Sequence, residues 1–335
     1  MAIVGVESLI YGVDDVAKSI EFFDDFGLNR IVDEHAPATY RLAEGSRVVI
    51  REATDPSLPT GGLVGTGVRE IIWGVDTQSA LDTLTKSLSA VCDVRKDSDG
   101  TVHFITDFGL PMGLRLFAKV PVLSAPDALN APGHVRRLNQ HRKWRLRAHP
   151  KVIAHVVFAI PEYQAATDFM RRRLGFRLSD SQRGVGQYLR ADGSNNHHNL
   201  LLLNARAPFG GMDGQARFHH ANFGVEDIDE IMVGANYMTR RGWEPSHFGL
   251  GRHRVDSALF YYLPCPAGGE AEYGADADYV DDSWVPRDWI EPLFAYSHFV
   301  HNLPDFLIKA PDWRLAYMTD DSVSPLERPA DASHQ

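Results

Sequence analysis

The sequence predicts an α+β protein: four βαβββ modules paired into two similar domains, each a curved and mostly antiparallel barrel. Three observations carry this. The order strand, helix, then several strands recurs four times along the 335 residues. Phe26-Gly27-Leu28 stands 148 residues before Leu174-Gly175-Phe176, each at a helix stop, and Gly74-Val75-Asp76 stands 150 before Gly224-Val225-Glu226, each at a strand exit. Only one helix accompanies each group of strands, which does not suit a parallel doubly wound sheet with helices on both faces.

The elements follow in order. VGVESLIYGV alternates as a strand; Asp14 or Asp15 caps a helix with Val16, Ile20 and Phe23 on one stripe, and Gly27 stops it. YRLAEG and RVVIRE supply strands around Gly45. The second module opens at VREIIWGV, with Asp76 or Thr77 before a helix lined by Leu81, Leu84 and Leu88, then VHFITD and GLRLFA. The third opens at VIAHVVFAI; its helix carries Ala166, Phe169 and Leu174 and stops at Gly175, with QYLRA and NLLLLNA behind. The fourth opens at FHHANFGV, and Asp227 with Glu230 reads as a capping box. ALFYYL and EAEYG close it.

Net charge is −10, which suits a soluble acidic protein and argues against a global nucleic-acid or membrane-surface role. Cys92 and Cys265 are too few for a disulfide framework or a thiolate zinc site. The N-terminus does not read as a signal peptide, and no apolar run reaches the ~18–20 residues of a membrane span. Cytoplasm is the expected compartment. Residues 121–150 contain six Lys/Arg between Arg136 and Arg147. Such a run can bind an acidic ligand, but the favoured expectation is a solvated connector that pairs with the acidic body.

The chemistry gathers in Gly251 to Gly274, where His253, Tyr262 and Glu272 flank a Pro/Gly turn. Upstream, His155-Val-Val-Phe158 and His220-Ala-Asn-Phe223 occupy equivalent places in modules three and four. Successive strand residues point to opposite faces, so only one of His219 and His220 can join His155, and the tetrad match selects His220. Corresponding strands of the paired repeat are expected to face one another across a cavity. Two imidazoles and a carboxylate there would hold Fe(II) or Mn(II) with open positions left over. The same offsets put Glu7 and Glu70 in the first half, which therefore lacks the pair.

This arrangement resembles the two-domain type I extradiol (ring-cleaving) dioxygenases of the vicinal oxygen chelate superfamily. The family signature runs G-x-H, a spacer, an aliphatic or aromatic residue and Tyr, then P-x-G before the metal-binding Glu. Residues 251–272 fit it, with Tyr261 and Cys265 as departures at strand and turn positions. The resemblance implies that His155, His220 and Glu272 bind Fe(II), with Mn(II) accepting the same ligands. It implies that His198 is the acid beside the O₂ position, with His197 as the alternative, and that His253 and Tyr262 hold the substrate's oxygens. It also implies a catechol-type substrate, O₂ as co-substrate, and a homo-oligomer, with neither nucleic acid nor membrane as partner. The domains are then 1–120 (non-catalytic), 121–150 (linker), 151–290 (catalytic) and 291–335 (an aromatic arm over the second barrel, then a flexible tail from Thr319). A glyoxalase-like isomerase or transferase, and a non-catalytic aromatic-ligand binder, are the alternatives on this fold. Arg252 either recognises a substrate substituent or, as favoured, pairs with a nearby acid.

Overall fold

The helices begin where a short polar side chain caps them and stop where glycine permits a left-handed turn. In the computed structural model, which describes residues 2–208, 211–309, 314–318 and 326–327, Asp15 accepts from the Lys18 N–H at 2.8 Å, Thr77 from Ala80 at 3.3 Å and Asp227 from Glu230 at 2.9 Å. Gly27 (φ 105°) and Gly175 (φ 73°) end their helices in the left-handed region, as expected. The capping box is modified. Glu230 reaches back past the cap to the Glu226 N–H at 2.8 Å and across to His149 N–H at 2.9 Å, tying the helix start to the linker.

The first half runs β1 (Ile3–Val13), α1 (Val16–Phe26), β2 (Asn29–Ile31), β3 (Ala38–Arg41), β4 (Arg47–Glu52), β5 (Gly67–Val75), α2 (Gln78–Leu88), β6 (Val94–Lys96), β7 (Val102–Ile105) and β8 (Pro111–Leu116). The second runs β9 (Val152–Ile160), α3 (Tyr163–Leu174), β10 (Arg177–Gln182), β11 (Gly186–Arg190), β12 (Leu200–Asn204), β13 (Arg217–Gly224), α4 (Ile228–Arg240), β14 (Gly251–Arg252), β15 (Leu259–Pro264) and β16 (Glu270–Ala275). Each module is thus βαβββ. Behind them lie β17 (Arg287–Trp289), α5 (Pro292–Tyr296), β18 (Phe299–Val300), β19 (Leu315–Tyr317) and β20 (Leu326–Glu327).

Each half forms one sheet, ordered β2-β3-β4-β1-β5-β8-β7-β6 in the first and β18-β14-β15-β16-β13-β9-β12-β11-β10-β17-β19-β20 in the second. Pairing is mostly antiparallel; the opening and closing strands of a module pair in parallel, as β1 with β4 and β13 with β16 do. Two expectations need correction. Opening strands of paired modules are hydrogen-bonded neighbours, β1 on β5 and β9 on β13, rather than walls facing across a cavity. Among the described residues neither sheet closes into a barrel: the ends of the first, β2 and β6, are three residues each and do not pair with one another.

The segment expected to lie over the second sheet instead extends it. β17 pairs beside β10, and β18 beside β14. The tail expected to be flexible from Thr319 lies outside the described residues, apart from Leu326–Glu327, which pairs with β19. One continuous apolar core runs through both halves. Phe26 stacks on Tyr273 at 4.1 Å between ring centroids, and the Tyr273 hydroxyl donates to the Phe26 carbonyl at 2.7 Å. The linker root is bound down by charge: Arg142 pairs with Asp229, Lys143 with Glu226, and Arg145 with Glu226 and Asp227. No helix among the described residues is long and apolar enough to cross a membrane.

Candidate metal centre

Strand register assembles the site. Reading across four adjacent strands, His155 on β9 stands opposite Asn222 on β13, Asn222 opposite Glu272 on β16, and Glu272 opposite Tyr262 on β15. Directly opposed residues share a sheet face, and so do residues two apart. His220 therefore joins the same face one step from Asn222, and Glu270 one step from Glu272.

The result is close and buried. His155 Nε2 and His220 Nε2 each lie 3.4 Å from the same oxygen, Glu272 Oε2. Glu272 is fully buried, yet among the described residues neither of its oxygens has a hydrogen-bond partner. An unsatisfied buried carboxylate costs several kcal/mol unless something cationic completes it. Burial, then the neighbouring His219 and His155, pushes the His220 imidazole toward its neutral form, which is the form that ligates metals. The two imidazoles and the buried carboxylate are a donor set that a divalent cation fits, and this is the 2-His-1-carboxylate pattern. His219 contacts His220 through Nδ1 at 2.7 Å, and burial lowers its pKa to about 4.

The other named residues surround this triad. His198 stacks on His155 with centroids 4.1 Å apart, and its Nδ1 lies 3.8 Å from Asp256. Burial, then the adjacent His155 and His197, drives its pKa well down. His197, the alternative, sits farther back between Tyr188 and Trp284, with Nε2 3.4 Å from Asp180. The geometry thus sets His198, not His197, against His155. His253 Nε2 lies 3.1 Å from the Tyr262 hydroxyl, and its Nδ1 faces the Tyr296 carbonyl. A carbonyl only accepts, so Nδ1 carries the proton and Nε2 of neutral His253 is an acceptor. Tyr262 packs edge-on to His220 at 5.1 Å, and burial, then Glu272, holds its hydroxyl protonated. A cavity of 270 Å³ borders the triad at His155, His198, Asn222 and Asp256. Arg252 pairs with Asp276 at 2.9 Å, the favoured expectation.

The sequence reasoning missed three neighbours. Glu270 shares parity with Glu272, a signal that was available; burial, then Glu272, raises its pKa to about 7. Asp256 and Tyr296 reach the site through loop and tertiary folding, with no periodic signal. In the first half, register puts Gly113 on β8 where the second half has Glu272, and His103 where it has Tyr262. Glu7 is spent on Arg47 at 2.8 Å and Glu70 on His103 at 2.6 Å. Among the described residues, both clusters of three potential ligands, His155/His220/Glu272 and His197/His198/Asp256, lie in the second half.

Residues 152–255 match the Glyoxalase/Bleomycin resistance protein/Dioxygenase superfamily. Metapyrocatechase 2 of Cupriavidus necator is 36% identical over 220 residues, 65% of this chain and 66% of that protein. The iron-dependent extradiol dioxygenase of Rhodococcus jostii is 32% identical over 149 residues, 41% of this chain and 47% of that one. The matched stretch therefore spans just under two thirds of the first relative and under half of the second. Among solved structures, a Mn(II)-bound glyoxalase from Novosphingobium aromaticivorans aligns with TM-score 0.68 at 21% identity, covering 88% of this chain and 91% of that one. BphC, a halotolerant catechol dioxygenase, aligns with TM-score 0.68 at 18% identity, covering 89% and 94%. Identities this low speak to the shared fold.

Proposed function

We propose that this chain, whose residues 152–255 match the Glyoxalase/Bleomycin resistance protein/Dioxygenase superfamily, is an Fe(II)-dependent extradiol dioxygenase. It takes a catechol-type substrate and O₂ and opens the ring adjacent to the hydroxyls. What carries the reading is the buried Glu272 carboxylate, without a hydrogen-bond partner among the described residues and with two imidazole nitrogens 3.4 Å away. In this reading His155, His220 and Glu272 hold the metal. Bound there, it supplies Lewis acidity that lowers the catechol's pKa and open positions for both co-substrates.

The chain's own residues do the rest. His253 Nε2, fixed as an acceptor by the Tyr296 carbonyl, takes a proton from a substrate hydroxyl. Tyr262, kept protonated by burial, donates to the resulting catecholate oxygen. His198, stacked on His155, is assigned to proton transfer on the O₂ side. A reducing cytoplasm suits Cys92 and Cys265, both of them free thiols.

Anaerobic loading with Fe(II) is expected to yield O₂ uptake with a catechol, and Glu272→Ala to abolish it. Normal uptake by that variant would overturn the ligand assignment. The likeness to a Mn(II)-bound glyoxalase keeps one rival in view: isomerase turnover without O₂ consumption would move the chain to that branch. Metal analysis of the active sample is expected to return iron rather than manganese.

A further inference from the structure

We propose that Asp180, His197 and Arg287 are positioning residues that fix the tautomer and orientation of His198. The proposal deepens the function proposed above and rests on it for the use to which His198 is put. A buried chain of contacts ends on that ring. His197 Nδ1 lies 3.2 Å from His198 Nδ1, and His197 Nε2 lies 3.4 Å from Asp180 Oδ2. All three residues are buried, Asp180 completely.

The proton pattern follows from what each group can do. A carboxylate only accepts, so the His197 nitrogen turned toward Asp180 carries the proton. At 3.4 Å that contact is electrostatic rather than a full hydrogen bond; among the described residues His197 Nε2 has no hydrogen-bond partner. The Nδ1 of neutral His197 then offers a lone pair, and His198 donates to it from its own Nδ1. Asp256 favours the same answer, with a carboxylate oxygen 3.8 Å from that nitrogen. Nε2 is thereby the His198 nitrogen left to accept a proton, since the bond made at one ring nitrogen sets what the other can do.

Asp180 can play this part because Arg287 holds it. Pairing of β17 with β10 sets Arg287 directly opposite Asp180. The guanidinium meets Asp180 Oδ2 at 2.7 Å, and the Trp289 indole donates to the same oxygen at 2.9 Å. Against the upward push of burial, His197 and Arg287 hold the Asp180 carboxyl below its ordinary value. The guanidinium lies over Trp284 at 4.5 Å and Trp289 at 4.9 Å, and Trp284 meets the His197 ring edge-on at 5.8 Å. Arg287 also donates to the Val255 carbonyl, one residue before Asp256. One cation therefore steadies both groups that face His198 Nδ1. A buried ion pair adds little net stability over an apolar contact, so its use lies in what it orients.

The test is the protonation pattern of the imidazoles, read from long-range proton–nitrogen NMR spectra of the metal-free full chain labelled at histidine. A His198→Gln sample identifies the His198 signals. Wild-type His198 is expected as a single tautomer protonated at Nδ1. Asp180→Asn, and His197→Phe, which keeps a ring in place, are each expected to give a mixture of both tautomers, and Asp180→Glu to restore the single one. At equal iron content both disrupting variants are expected to lower kcat with a catechol at least about tenfold while KM stays within about twofold. His198 protonated at Nε2 in the wild type overturns the proposal. So does an Nδ1 tautomer unchanged in both variants, whatever their activity or melting temperature. Should Asp180→Asn misfold, His197→Phe carries the comparison. A wild type with the Nδ1 tautomer, lost in the variants, but without O₂ uptake on any catechol tested would support the positioning role and count against the proposed function alone.

Discussion

Removing one oxygen from Tyr262 tests the substrate-holding role directly. The hydroxyl lies 3.1 Å from His253 Nε2, in a residue only 6% exposed. Tyr262→Phe keeps the ring, which is packed by His220 at 5.1 Å and Phe260 at 5.0 Å, so the fold and the His155, His220 and Glu272 side chains stay in place. What disappears is a donor to a charged oxygen in a dry site, a bond contributing about 1.5–3 kcal/mol. At 1.36 kcal/mol per factor of ten, kcat/KM is expected to fall by about 10- to 160-fold. The assay is steady-state O₂ uptake with a catechol, with iron content and thermal melting measured on the same preparation. Iron content is expected to match wild type and the melting temperature to shift little, because His253 is only partly buried. A change of less than about threefold at full iron content would refute the role. A loss that merely tracks lost iron would refute it too, by showing that the hydroxyl serves the metal site.

Two further expectations concern stability. Glu226 accepts from the Ala125 N–H at 2.7 Å and faces Arg145, Lys143 and Lys151, and these partners hold its pKa well below the usual carboxylate value despite an opposing push from burial. A depressed folded-state pKa means that the stabilisation is present above the unfolded value of about 4.3 and is lost as pH falls through the folded one. Glu226→Gln is therefore expected to cost on the order of 1–2 kcal/mol at neutral pH. In denaturant titrations the gap to wild type should narrow below about pH 4.5; a gap that widens in acid would contradict the sign. Tyr273→Phe keeps the stack on Phe26 but loses the hydroxyl bond, and is expected to cost about 1 kcal/mol in urea with an unchanged slope.

Much of the site was legible because strands and repeats obey simple counting. Parity separates His219 from His220, and the repeat offset links His220 to His155. The closing strand brings Glu272 onto the same face. The counting does not say which edge pairs with which. That is why counting sets β9 and β13 across a cavity although they are neighbours, and why it predicts a curved barrel where the sheet stays open. Residues fixed by long-range contacts left no local trace. Asp180 is held by the Arg287 guanidinium and the Trp289 indole, 107 and 109 residues away, and it in turn backs His197. No window of sequence contains that arrangement. Glu270 is a different case, since its parity with Glu272 is itself a sequence signal.

Tyr273 directly follows Glu272, and its ring and hydroxyl are clamped to Phe26 in the opposite half of the chain. The carboxylate that completes the triad therefore sits one peptide bond from a rivet driven into the half without the triad. The N-terminal half then works as a mechanical backstop, limiting how far one carboxylate can wander. Precision at the site is in this sense a long-distance property. Loosening at the end of α1 would be felt as slack at the Glu272 carboxylate, far along the chain.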